Sequence, residues 1–93
     1  MTTTADRIRK AAKFCGWAHW ESFEGEERAD IFHRNYAPAS NGIYAECRTA
    51  VRVVYINGRL ARAHRWDRDT HDVRVIGRLT KKKADRVIEW LCA

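Results

Sequence analysis

The chain has 93 residues, 18 Lys and Arg against 12 Asp and Glu for a net charge of +6, and 45% hydrophobic residues. That length supports one domain with a small core and excludes two independently stable ones, while four Trp, three Tyr and three Phe are too many for a solvated coil. The longest unbroken aliphatic or aromatic run is Val53-Val54-Tyr55-Ile56, far short of the roughly 20 residues a spanning helix needs, and no secretory signal is expected at the start.

In chain order, Thr4 or Asp6 can cap a first helix running to about Cys15, because Ala5, Ile8, Ala12 and Cys15 share one apolar face. Gly16 then stands where a helix-terminating glycine belongs. Residues 17–23 and 29–36 are rich in strand formers and flank Glu24-Gly25-Glu26-Glu27, which reads as an acidic hairpin turn. Pro38 to Gly42 is a loop. Val51 to Ile56 and Leu60 to Trp66 surround Asn57-Gly58, the pair that specifies a two-residue type I′ hairpin. Val73 to Ile76 forms a further strand, and Thr80 caps a last helix whose Ala84, Val87, Ile88 and Leu91 fall on one face. The expected fold class is α+β: a single antiparallel sheet of four to five strands with N- and C-terminal helices packed on one face. Residues 1–93 form one domain, a helix and acidic hairpin over 1–46 and a basic three-stranded sheet with its helix over 47–93.

Charge is unevenly distributed along the chain. Residues 1–17 carry Arg7, Arg9, Lys10 and Lys13 against Asp6, a net +3; residues 18–46 reach −4; residues 47–86 reach +8. Such asymmetry bears on partners rather than on fold. Cys15, Cys47 and Cys92 are odd in number and contain no C-x-x-C pair, which suits small buried hydrophobes in a reducing, cytoplasmic compartment.

Strand alternation assigns the residues of the Asn57-Gly58 hairpin to two faces. One face takes Thr49, Val51, Val53 and Tyr55 with Leu60, Arg62, His64 and Trp66, and packs beneath the helices. The other takes Arg48, Ala50, Arg52, Val54 and Ile56 with Arg59, Ala61, Ala63 and Arg65, joined by Arg74 and Arg78 from the next strand. Arg62 and His64 fit poorly on a packed face, so in this register either they sit at its rim or the pairing is displaced by one residue. Arginine forks suit phosphates and guanine edges, and short Ala neighbours let a groove wall approach. The expectation is a nucleic-acid-binding face, double-stranded DNA favoured over RNA, formed by Arg48, Arg52, Arg59, Arg65, Arg74 and Arg78.

The β-β-β-α order of residues 47–92, with Gly77-Arg78-Leu79-Thr80-Lys81-Lys82-Lys83-Ala84 entering the helix, resembles the AP2 and phage-integrase N-terminal arm-binding domains. That resemblance implies a three-stranded sheet laid in the DNA major groove, with the contacts carried by Arg52, Arg59, Arg65 and Arg74. Thr80-Lys81-Lys82-Lys83-Ala84 also resembles the start of the second helix in double-stranded-RNA-binding domains, implying phosphate contacts from Lys81 and Lys82. The Arg- and Ala-rich usage with Thr2-Thr3-Thr4 resembles small accessory proteins of actinobacterial phages, which implies a host protein as the alternative partner, met through Glu24, Glu26 and Glu27.

No catalytic residues, cofactor, metal or membrane contact are expected. Gly42-Ile43-Tyr44 with Tyr55-Ile56-Asn57-Gly58 resembles the GIY-YIG nuclease motif, with Arg65 and Glu89 as its other parts, but Asn57 interrupts the second half and the hairpin explains it. Arg52, Tyr55, His64 and Arg65 are similar to a RelE-type toxin set that the N-terminal half does not match. Cys15-x-x-x-His19 has no second ligand pair at zinc-like spacing. Trp17, Trp20, Phe23, Phe32 and Trp66 read as core rather than as a stacking platform. The oligomeric state is left open by the sequence.

Overall fold

The computed structural model describes residues 3–34, 37–38, 45–46, 49–67, 72–77 and 79–92. Helix α1 (Thr4–Phe14) is followed by β1 (Ala18–Glu24), β2 (Glu27–Arg34), β3 (Ala37–Pro38), β4 (Ala45–Glu46), β5 (Thr49–Ile56), β6 (Arg59–Asp67), β7 (Asp72–Ile76) and α2 (Lys83–Cys92). β1, β2, β5, β6 and β7 form one five-stranded antiparallel sheet in that order, and β3 pairs separately with β4. The α+β expectation holds, and β2 pairing with β5 merges the acidic hairpin and the basic meander into one sheet. Of the expected loop Pro38 to Gly42, Pro38 instead falls in β3 and residues 39–42 lie outside the described residues.

Local chemistry sets the ends of α1. Thr3 is the N-cap: its hydroxyl accepts from the Asp6 N–H at 3.1 Å while the Asp6 carboxylate accepts from the Thr3 N–H at 3.2 Å. This reciprocal box moves the cap one residue upstream of Thr4 and uses Asp6 inside the first turn. At the other end Gly16 adopts φ +83°, the Trp17 N–H reaches the Ala12 carbonyl and the Gly16 N–H reaches that of Lys13. That double closure is a Schellman motif, and it turns Trp17 back into the core.

The core lies between the helices and one face of the sheet. Ile8 and Ala12 of α1 and Val87 and Leu91 of α2 meet Phe32, Val51, Val53, Tyr55, Ala63 and Ile76 of the sheet, with Trp17 beside them. The Trp17 indole N–H donates to the Leu91 carbonyl at 2.7 Å, satisfying one of the acceptors a helix leaves open at its C-terminus.

Two expectations need correction. Thr80 does not cap α2. It closes a turn with Gly77, accepting the Gly77 N–H on its hydroxyl and donating its own N–H to the Gly77 carbonyl, both at 3.1 Å. The helix begins at Lys83, after Lys82 at φ +55°, whose carbonyl accepts from the Arg86 N–H. The second correction concerns β6. Asn57 (φ 52°) and Gly58 (φ 77°) make the expected two-residue turn, and Ile56 faces Arg59 and Tyr55 faces Leu60 as predicted. A bulge then follows: Val54 faces Arg62 rather than Ala61. The extra residue flips every later side chain of β6 to the opposite face. Ala63 and Arg65 turn toward the helices, and Arg62, His64 and Trp66 turn away.

Candidate nucleic-acid interface

Among the described residues no helix packs on the sheet face opposite α1 and α2, and the composition of that face follows from strand alternation once the bulge is included. One row runs across β1, β2, β5, β6 and β7 as Trp20, Ile31, Arg52, His64 and Val75; the next runs Ala18, His33, Ala50, Trp66 and Val73. Trp20 is 62% exposed, Trp66 40%, Val73 57% and Val75 60%, while Arg52 stands exposed near the middle. The Trp20 ring leans on His33, with centroids 4.0 Å apart and planes at 49°, so its other face is open to solvent. Burial first, then the charge on His19, hold the His33 imidazole below its ordinary value of 6.5.

The expected arginine face is therefore divided. Arg52 and Arg59 are exposed, Arg52 on the open face and Arg59 just after the hairpin turn. Arg65 lies on the helix side, where its Nη1 donates to the Trp90 carbonyl at 2.9 Å; Arg74 is its cross-strand neighbour on β7. Arg62, expected beneath the helices, is on the open face with its Nη2 3.4 Å from both oxygens of Glu27. Lys81 and Lys82 are exposed in the turn before α2. Arg48 and Arg78 lie outside the described residues.

The bulge also builds a concave site. Ile56, Leu60 and Ala61 line a cavity of about 660 Å³ together with Arg59, Arg62 and Lys83. Three cations surround its apolar floor. The sequence held one signal for the arrangement: Arg62 and His64 at positions alternation had sent into the core. The aromatic expectation is corrected as well. Trp17 and Phe32 are core, but Trp20, Phe23 and Trp66 are exposed, since β1 is an edge strand and the bulge turns Trp66 outward.

The helix side carries a different polar cluster. Asp30 is fully buried; Arg9 grips it with Nε to Oδ2 at 3.0 Å and Nη2 to Oδ1 at 2.9 Å, and the His19 Nε2 lies 2.9 Å from Oδ1. Arg9 also bonds Glu21, and Arg28 lies 3.7 Å from Glu21 and 3.9 Å from Asp30. Burial pulls the Arg9 pKa down, but Asp30 and Glu21 outweigh it and raise the net value. Ligand atoms of His19, Glu21 and Asp30 come within 4.8 Å of one another, and the Arg9 and Arg28 guanidinium groups balance the two carboxylates, so the structure accounts for the cluster as an ion-pair network. Nearby, the buried Tyr55 hydroxyl has no hydrogen-bond partner among the described residues, and burial pushes its pKa up, with the Asp30 charge adding to the shift.

The remaining candidates are dispersed. Cys15 contacts Cys92 rather than His19. Glu24 and Glu26 are exposed at the β1–β2 tip, while Glu27 is half-buried against Arg62. Residues 42–44 lie outside the described residues, and Arg65 is engaged with the end of α2. No described helix is long and apolar enough to cross a membrane. Comparison with family models, with curated proteins and with solved structures returned no match.

Proposed function

We propose that this protein binds single-stranded nucleic acid across the sheet face opposite its helices, without catalysis and in the cytoplasm. The observation that carries the reading is the pair of exposed indoles, Trp20 and Trp66, on either side of Arg52 on a sheet face that no described helix covers. Unpaired bases stack on such rings whatever their sequence, and an arginine between them meets the connecting phosphate. Geometry favours a single strand over the duplex expected from sequence. Five strands at about 4.8 Å spacing are roughly 19 Å across before side chains are added, wider than the roughly 12 Å major groove. The Arg59, Arg62 and Lys83 cavity continues the cationic path at the bulged end of the sheet.

The test is a fluorescence titration with matched oligonucleotides of about 12 nucleotides, single- and double-stranded, at several salt concentrations. The expected result is indole quenching, a preference for the single strand, and a loss of about 1–3 kcal/mol in each of Trp20→Ala and Trp66→Ala. The log–log salt slope should be about −2 if Arg52, Arg59 and Arg62 meet three phosphates. Absence of binding at low salt, or affinity that both Trp variants retain, would overturn the proposal. Phe23, 70% exposed beside Glu24 and Glu26, favours a protein partner as the second reading. That reading requires a partner lost on charge reversal of Glu24, Glu26 and Glu27 and indifferent to Trp66→Ala.

A further inference from the structure

α1 and α2 end side by side, and each carries a cysteine at its terminus. Cys15 is the C-cap of α1 and Cys92 is the last residue of α2, 77 positions later. Their sulfurs are 2.7 Å apart, with the Cys15 thiol donating toward Cys92. Neither is the buried hydrophobe that the sequence suggested: Cys15 is half-buried and Cys92 is exposed. Cys92 also lines an open groove of about 360 Å³ with Arg7, Lys10 and Phe14, so an anionic reagent reaches its sulfur past two cations. The fold already brings the two sulfurs together, and joining them needs only a small closing movement toward the roughly 2.05 Å of a disulfide bond.

We propose that Cys15 and Cys92 form a redox-active dithiol that low-molecular-weight disulfides, such as oxidised glutathione, convert to an intramolecular disulfide clasping the two helix ends. The exposed Cys92 thiol loses its proton and attacks one sulfur of the reagent. The reagent S–S bond breaks, and the expelled thiolate takes up the proton. The Cys15 thiol then loses its proton and attacks the Cys92 sulfur of the mixed disulfide, expelling the second thiolate, which is protonated in turn. Two protein thiols are oxidised by two electrons, and one reagent disulfide is reduced to two thiols. Hydrogen bonding with Cys15 that favours the protonated form, then burial, hold the Cys92 thiol above its ordinary value, so the first attack quickens as pH rises.

The cross-link closes nearly the whole chain into one loop, so its effect is large: the melting temperature of the oxidised protein should exceed that of the reduced protein by at least about 10 °C. The experiment is exposure of the native wild-type protein to oxidised glutathione, followed by intact mass, peptide mapping and thermal unfolding with and without a reducing agent. The expected product has lost two hydrogens, yields a peptide linking Cys15 to Cys92, and melts higher until it is reduced. Cys15→Ser should stop at the mixed disulfide on Cys92. Three results would overturn the proposal: mixed disulfides alone in the wild type, a linkage through Cys47, or a linked form that melts no higher. Because the site lies on the helix side, loss of oligonucleotide binding in the Trp variants would leave this result unchanged.

Discussion

Arg52 and Arg65 share a face if β5 and β6 pair in simple alternation, and lie on opposite faces if the bulge at Ala61 is present. Their alanine variants therefore separate two properties that the sequence alone had joined. Arg65 is half-buried and donates to the Trp90 carbonyl at 2.9 Å, next to the Leu91 carbonyl that Trp17 satisfies. Arg65→Ala leaves that carbonyl of the last helical turn without its donor. A hydrogen bond from a charged group contributes about 1.5–3 kcal/mol when buried, and partial exposure brings this to about 1–2 kcal/mol. In a domain of this size such a loss lowers the melting temperature by roughly 5–15 °C. Arg52 is exposed on the open face, so Arg52→Ala should alter stability by no more than about 0.5 kcal/mol. It should instead weaken oligonucleotide binding and reduce the salt slope by about 0.7. Circular-dichroism melts and salt-dependent titrations of the two variants make the comparison. Weakened binding with unchanged stability in Arg65→Ala would place that side chain on the open face and refute the bulged register.

Arg9→Leu strips the buried Asp30 of its bidentate partner and leaves only His19 and the more distant Arg28 beside it, so urea unfolding should record a loss of about 3 kcal/mol; a cost under about 1 kcal/mol would show that these two neighbours suffice. Lys82→Gly relieves the φ of +55° before α2 and should stabilise by about 0.5–1 kcal/mol, read as a raised melting temperature. The same variant losing stability would mean that the Lys82 side chain contributes packing. The His33 imidazole, held below its ordinary 6.5, takes up a proton more readily in the unfolded chain than in the folded one. Its effect is therefore nil well above pH 6.5 and becomes destabilising as pH falls below that value, and melts of wild type and His33→Gln across this range should diverge only on the acid side.

Much of the fold was legible because local chemistry is strong where the chain turns. Gly16 ends α1, Gly25 turns the first hairpin at φ +60° and Asn57-Gly58 turns the second, each at positive φ and each where the sequence places it. The apolar positions of α1 and α2 also match their periodicity, with Ile8, Ala12, Val87 and Leu91 buried. Two features were less legible. The start of α2 depends on a Gly77–Thr80 turn that competes for the hydroxyl expected to cap the helix. The bulge at Ala61 inserts one small residue among similar small residues, Ala61 and Ala63, so alternation reads equally well in either register. Only Arg62 and His64, too polar for the packed face, distinguish the two. The Cys15–Cys92 pairing is a contact over 77 positions that nothing in the spacing of three cysteines encodes.

The structure also changes what the net charge of +6 means. Arg7 faces Asp85, Arg9 holds Asp30 and Glu21, Arg62 meets Glu27, and Arg65 binds the end of α2. These four arginines are thus engaged within the fold, and among the described residues the open face presents Arg52 near its middle and Arg62 against Glu27, amid indoles, imidazoles and aliphatic side chains. A ligand held chiefly by phosphate contacts would need a denser field than this. One held by stacking needs exposed rings with a cation between them, so affinity on this face should respond more to loss of Trp20 or Trp66 than to added salt.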